Sequence, residues 1–241
     1  MSLPPHGIFS LRNKAAHSQR RSLLSHAFSQ QNINDCMPII EQKLDSLLQS
    51  FDCDTIQTVD VFLRFRLFAF DVVGELFLGT SFGASEAGTA PEYLHDVDRQ
   101  FLFSGIKFNF PLLATFLSQI PLASMKTFTR GGERLAQRDP IAFPDPDVFL
   151  PDRWLYAEPT TSMKALFMPF SKGTRACIGK SLAKVELRLV VLGLLSRYEV
   201  KLAPQTTEES MEIRDHFLVM PKSGKCELVF EPLPEGALAK A

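Results

Sequence analysis

Four prolines within twelve residues, Pro140, Pro144, Pro146 and Pro151, constrain this 241-residue chain more than any other feature. Each lacks an amide donor and fixes φ, so neither a helix interior nor a central strand can run through the stretch. The chain is therefore divided by a long irregular meander, with helical sequence on both sides. Upstream, Asn13–Phe28 has helical character with Asn13 as its cap. Ile33, Met37, Ile40, Leu44, Leu47, Leu48 and Phe51 recur at helical spacing, and Pro38 is tolerated only near that helix's first turn. Thr55–Val59 reads as a short strand, and Val61–Leu78 as a helix apolar on nearly every face, hence central. A loop from Thr80 to Pro91 leads to a short helix near Tyr93–Phe103. Downstream, Ser181–Arg197 is predicted helical, with Leu182, Val185, Leu189, Leu192 and Leu195 on one stripe. The end reads as a hairpin, His216–Met220 and Lys225–Phe230, about a turn at Pro221–Gly224. The fold class is mainly α with small β-sheets.

Charge excludes one class of function. Twenty-six basic against 27 acidic side chains leave a net charge of −1, so no global field recruits nucleic acid, and no such partner is expected. Cys36, Cys53, Cys177 and Cys226 lie too far apart for a small disulfide scaffold or a CxxC zinc site. The first residues have neither the basic nor the apolar region of a signal peptide, which points to a cytoplasmic chain. Lys107, Asn109, Pro111 and Gln119 interrupt the longest apolar stretch, Phe101–Ala123, making it a poor spanning helix. Its five phenylalanines suit a peripheral membrane contact or a buried core segment equally.

Chemistry concentrates in Phe170-Ser-Lys-Gly173-Thr-Arg175-Ala-Cys177-Ile-Gly179, just ahead of the Ser181 helix. A cysteine before a helix start lies among unpaired amides at the positive end of the dipole, which favours the thiolate, a metal ligand. Gly173 and Gly179 let backbone approach a flat object, Phe170 can cover the sulfur, and Arg175 offers a fork matching a carboxylate. A heme supplies the counterparts: iron, a planar macrocycle and propionates.

This segment matches Phe-x-x-Gly-x-Arg-x-Cys-x-Gly at all five fixed positions and resembles the heme-thiolate signature of the cytochrome P450 family. Arg138-Asp-Pro-x-x-Phe143-Pro-Asp-Pro-x-x-Phe149-x-Pro-x-Arg153-Trp154 resembles that family's meander, and His17-Ser-Gln-Arg-Arg21 its C helix in filamentous-fungal members. The resemblance implies a partial cytochrome P450 fold. It implies heme b on Cys177 as axial iron ligand, with Phe170, Gly173 and Gly179 around the cysteine. Arg175, His17 and Arg21 would hold propionates. It further implies a monooxygenase oxidising an apolar small molecule, a fungal secondary metabolite, with electrons from NADPH through a partner reductase. That reductase would dock on a basic surface of Lys172, Lys180, Lys184 and Arg188. Phe101–Ala123 resembles the F–G region, implying a site peripheral to the endoplasmic reticulum membrane.

Two family signatures are absent: no Glu is followed three positions later by Arg, and no acid–threonine pair of the I helix occurs. The expected organisation is therefore an N-terminal segment over 1–129, a junction at 130–137 where the I to K helices are missing, and a heme-binding segment over 138–241. The usual N-terminal anchor is missing too. Catalytic residues are accordingly not identified. In the family Arg153 is held by the missing Glu-x-x-Arg pair, and a buried guanidinium without its partner costs several kcal/mol. Two other readings stay open: a truncated non-catalytic heme-binding remnant or misfolded gene-model product, and a helical interaction protein.

Overall fold

A computed structural model describes residues 13–51, 55–92, 94–96, 98, 139–146, 148–155, 158–216 and 218–234, with 7, 8 and 11. The apolar stretch Phe101–Ala123, the junction 130–137 and most of the Tyr93–Phe103 helix lie outside the described residues. The chain forms two compact units, one from Met1–Ala90, Ala176–Thr206 and Lys225–Ala241, the other from Pro91–Arg175 and Thr207–Gly224.

The first unit opens with α1 (Lys14–Ser25), whose amide end is closed by Asn13 accepting from Ala16 N at 2.9 Å. The next predicted helix divides into α2 (Gln30–Asp35) and α3 (Met37–Gln49) at Cys36. Pro38, in the first turn of α3, has no amide to continue the α2 ladder, so the helix restarts there. β1 (Gln57–Asp60) feeds α4 (Val61–Leu78), which ends on Gly79 at φ +70°. α5 (Ala84–Ala87) is held to α4 by Asp71, whose buried carboxylate accepts from Ala84 N and Ser85 N at 3.1 and 2.7 Å.

The long C-terminal helix and two strands, β2 (Tyr198–Leu202) and β5 (Glu227–Pro232), return to the same unit. β5 is the middle strand of an antiparallel sheet ordered β1-β5-β2. Phe230 on β5, Tyr198 on β2 and Phe51 after α3 pack ring against ring in the core, with centroids 5.0–6.0 Å apart.

The expected C-terminal hairpin is therefore a correction. The Pro221–Gly224 turn forms, with Gly224 N donating to Pro221 O, but it does not fold its two flanking strands together. In the second unit β3 (Ile213–His216) pairs with β4 (Leu218–Pro221), while Lys225–Phe230 supplies β5 to the core of the first. Burial decides the pairing, since on β5 Phe230 is enclosed in the core that holds Phe51 and Tyr198.

Asp60 joins strand to helix. One carboxylate oxygen accepts from Phe62 N and Leu63 N at the start of α4 and from Cys226 N before β5, at 3.1, 3.4 and 3.0 Å. Asp60→Ala strips all three amides of their acceptor and is expected to lower the unfolding free energy by about 2 kcal/mol in urea titration. Asp60→Asn keeps an acceptor and should cost less; an unchanged midpoint in the alanine variant would refute the role.

In the second unit, α6 (Asp152–Leu155) and α7 (Thr161–Leu166) punctuate the proline meander. Arg153 is half-buried and finds acceptors within the meander. Its guanidinium donates to the carbonyls of Pro144, Asp145, Val148 and Leu150 at 2.8, 3.1, 3.3 and 3.1 Å. The penalty expected for Arg153 does not arise, because the proline-rich backbone has carbonyls to spare where it lacks amides. Asp145, at φ +51°, takes the left-handed conformation within this loop.

Candidate functional site

The last helix, α8 (Lys180–Leu195), starts with Gly179 at its cap, where no side chain closes the amide end. The Cys177 turn runs straight into those unpaired amides. Cys177 is a free, exposed thiol. A Cβ built on Gly179 would lie 4.0 Å from Cys177 Sγ and 3.9 Å from the Phe28 ring, so the three residues are neighbours. Phe28 in turn stacks on Phe77 of α4 at 4.9 Å and 28°. An aromatic pair thus stands beside the turn that carries the sulfur.

On α1, His17 is buried and Arg21, one turn on, is half-buried, whereas Arg20 is exposed. The helix turns its His17–Arg21 edge inward, and Arg21 forms no ion pair among the described residues. Cys177, Gly179, His17 and Arg21 all belong to the first unit.

Phe170, Gly173 and Arg175 belong to the second. Phe170 is half-buried; Gly173, at φ +73° and with open space around its Cα, begins a single 3₁₀ turn, Gly173–Arg175. Arg175 is exposed and, among the described residues, forms no ion pair. Ser171 takes the left-handed conformation at φ +59°, a strained choice for a residue other than glycine.

Of the four basic side chains expected to form a surface, Lys180, Lys184 and Arg188 are exposed on α8. Lys172 is committed elsewhere: its ammonium donates to the carbonyls of Lys164 and Ala165, closing the C-terminal end of α7. Among the described residues no group of three or more His, Cys, Asp or Glu is placed to hold a metal. No described helix is long and apolar enough to cross a membrane.

The buried seam of α8 also departs from the expected stripe. Leu182, Glu186, Val190 and Leu194, four residues apart, are buried, while Leu192 and Leu195 are exposed. A carboxylate one turn from each of two buried aliphatic residues was the available signal for Glu186, which the leucine pattern concealed.

The family model for cytochrome P450 matches residues 4–130 and 134–228. N-acetyltryptophan 6-hydroxylase ivoC of Emericella nidulans is 40% identical over 95 residues, 39% of this chain and 19% of its own length. The mitochondrial sterol 26-hydroxylase of Oryctolagus cuniculus is 38% identical over 102 residues, 41% of this chain and 18% of its own. The matched segments span only about a fifth of the length of these curated relatives. The crystal structure of the cytochrome P450DA heme domain superposes with a TM-score of 0.65 at 14% identity, covering 95% of this chain and 79% of that one. Retinoic acid bound cyanobacterial CYP120A1 does so with a TM-score of 0.60 at 16% identity, covering 95% and 81%. The mainly helical fold with small sheets is accordingly a partial cytochrome P450 fold. With that signature turn at the head of α8 and a family model matched along nearly all of its length, the chain belongs to the cytochrome P450 family.

Proposed function

We propose that this chain acts as a heme-thiolate monooxygenase on an apolar small molecule, using dioxygen and electrons from NADPH passed on by a partner reductase. The free, exposed Cys177 thiol at the uncapped amide end of α8 carries this reading. The surroundings fit heme b. Gly173 has open space about it, and Gly179 brings its backbone close to the sulfur, a Cβ there lying 4.0 Å from Cys177 Sγ. Arg21 and Arg175 have no ion pair to give up among the described residues. Bound through Cys177, heme would supply one-electron and dioxygen chemistry, tuned by its sulfur ligand.

The chain's own residues hold and shield that group. Cys177 provides the one protein ligand to iron. Arg175, with His17 and Arg21, takes the propionates, and Phe170 keeps water from the sulfur. Lys180, Lys184 and Arg188 offer an exposed positive face to an acidic reductase, a complementarity that speeds encounter. Relatives named for hydroxylating N-acetyltryptophan and a sterol support an apolar or aromatic substrate. Monooxygenases of filamentous fungi, such as hkm5 of Aspergillus hancockii, are among the relatives, and a fungal secondary metabolite is the substrate class we propose. Peripheral seating on the endoplasmic reticulum membrane through Phe101–Ala123 belongs to the same proposal.

The test is product formation. Heme-loaded protein, a flavoprotein reductase and NADPH are incubated with a panel of apolar aromatic acids and sterols. Hydroxylated product formed in proportion to NADPH consumed is the expected result. Stable heme uptake with no product from any member would overturn the monooxygenase reading in favour of a non-catalytic heme-binding protein.

A further inference from the structure

We propose that Glu186 is a protonation switch for the seating of α8, which packs tightly while this carboxyl carries a proton and loosens once it ionises. Glu186 sits within the buried seam of that helix, one turn after Leu182 and one before Val190, and is only 9% exposed. Its Oε1 is fully enclosed and has no hydrogen-bond partner. Once the group ionises, that oxygen has neither water nor a donor, whereas the neutral acid tolerates the apolar contact far better.

Among the described residues, the elements packed against α8 bring no compensating positive charge to Glu186. α2 and α3 bury Ile33, Ile40, Leu44, Leu47 and Leu48, and Leu48 meets α8 directly beneath Gly193. The ionisable groups of these helices lie elsewhere. Asp35, Glu41 and Asp45 are exposed, Lys43 pairs with Glu75 at 3.5 Å, and the half-buried Cys36 thiol takes a weak hydrogen bond from Asn32. On β2, Tyr198 is buried among aromatic rings, and Glu199 pairs with Lys201 at the surface. Lys184 and Arg188 of α8 itself are exposed.

Burial pushes the Glu186 carboxyl up to about 7 from an ordinary 4.5. Between those values the folded chain keeps a proton that the unfolded chain has released. Stability from this group is therefore fully present below about pH 4.5 and is lost as pH rises through about 7. The switch lies about two and a half helical turns from Cys177, so it acts on the helix that presents the sulfur, not on the sulfur.

The experiment compares urea unfolding of the full chain and of Glu186→Gln at pH 5 and pH 8. The ratio of the variant's folding constant to that of the natural chain is expected to rise about a hundredfold between the two values, because glutamine cannot ionise. Amide exchange along α8, corrected for intrinsic rate, should quicken with pH in the natural chain alone. Glu186→Leu, also uncharged, must reproduce the flattened profile, which keeps the test decisive if glutamine impairs folding. An unchanged ratio at the two pH values, or α8 protection that falls equally in all three proteins, would overturn the proposal.

Discussion

Cys177→Ala protein, supplied with hemin, reduced and exposed to carbon monoxide, is expected to lose the red-shifted Soret band from which the cytochrome P450 family takes its name. The natural chain should show it. The argument rests on position. Cys177 is exposed, so removing its sulfur opens no core cavity, and the variant should fold as well as its parent. What the substitution removes is the thiol at the uncapped end of α8. Cys36→Ala and Cys226→Ala are the controls, since both of those thiols are half-buried in the first unit and lie on other elements. A band that survives in Cys177→Ala would remove the basis for the proposed function. A band lost only in Cys36→Ala would move the ligand to another helix.

The second large effect is on stability. Phe230→Ala is expected to cost about 3–5 kcal/mol, read as a shift of the urea midpoint with an unchanged slope. Phe230 is 1% exposed and meets Phe51 and Tyr198 edge to face, so its removal leaves a cavity walled by two aromatic rings and a sheet. Against a typical total of about 5–15 kcal/mol, that loss leaves little or no folded population. Tyr198→Phe, which keeps the ring, should cost far less. A Phe230→Ala chain within about 1 kcal/mol of its parent would mean that the triad does not hold this unit together.

Local chemistry was legible wherever a residue decides its own neighbourhood. Asn13 capped the first helix, Pro38 fell in the first turn of α3, and Val61–Leu78 formed a helix with the ends expected. The cysteine turn could be read for the same reason, since its glycines, its sulfur and the helix start lie within ten residues. Choices settled by distant partners were not legible. Lys225–Phe230 left its expected hairpin because Phe230 has its burial partners at Phe51 and Tyr198, far away in sequence. The α8 seam followed a spacing of four through Glu186, since what packs against a helix, not the helix alone, decides which edge is covered. Lys172 turned from a surface charge into a helix cap because Lys164 and Ala165 left carbonyls within its reach. Arg153 likewise drew its partners from the bends of its own meander, which no pattern of residue types encodes.

The place of β5 between β1 and β2 bears on the order in which this protein becomes a protein. The strand that closes the sheet is made after both of its neighbours, β1 and β2, although it lies between them. During synthesis β1, α3 and α4 must wait with their inner faces uncovered, at the mercy of chaperones and of one another. A stop codon shortly before Glu227 would therefore leave β1 and β2 without the strand that joins them.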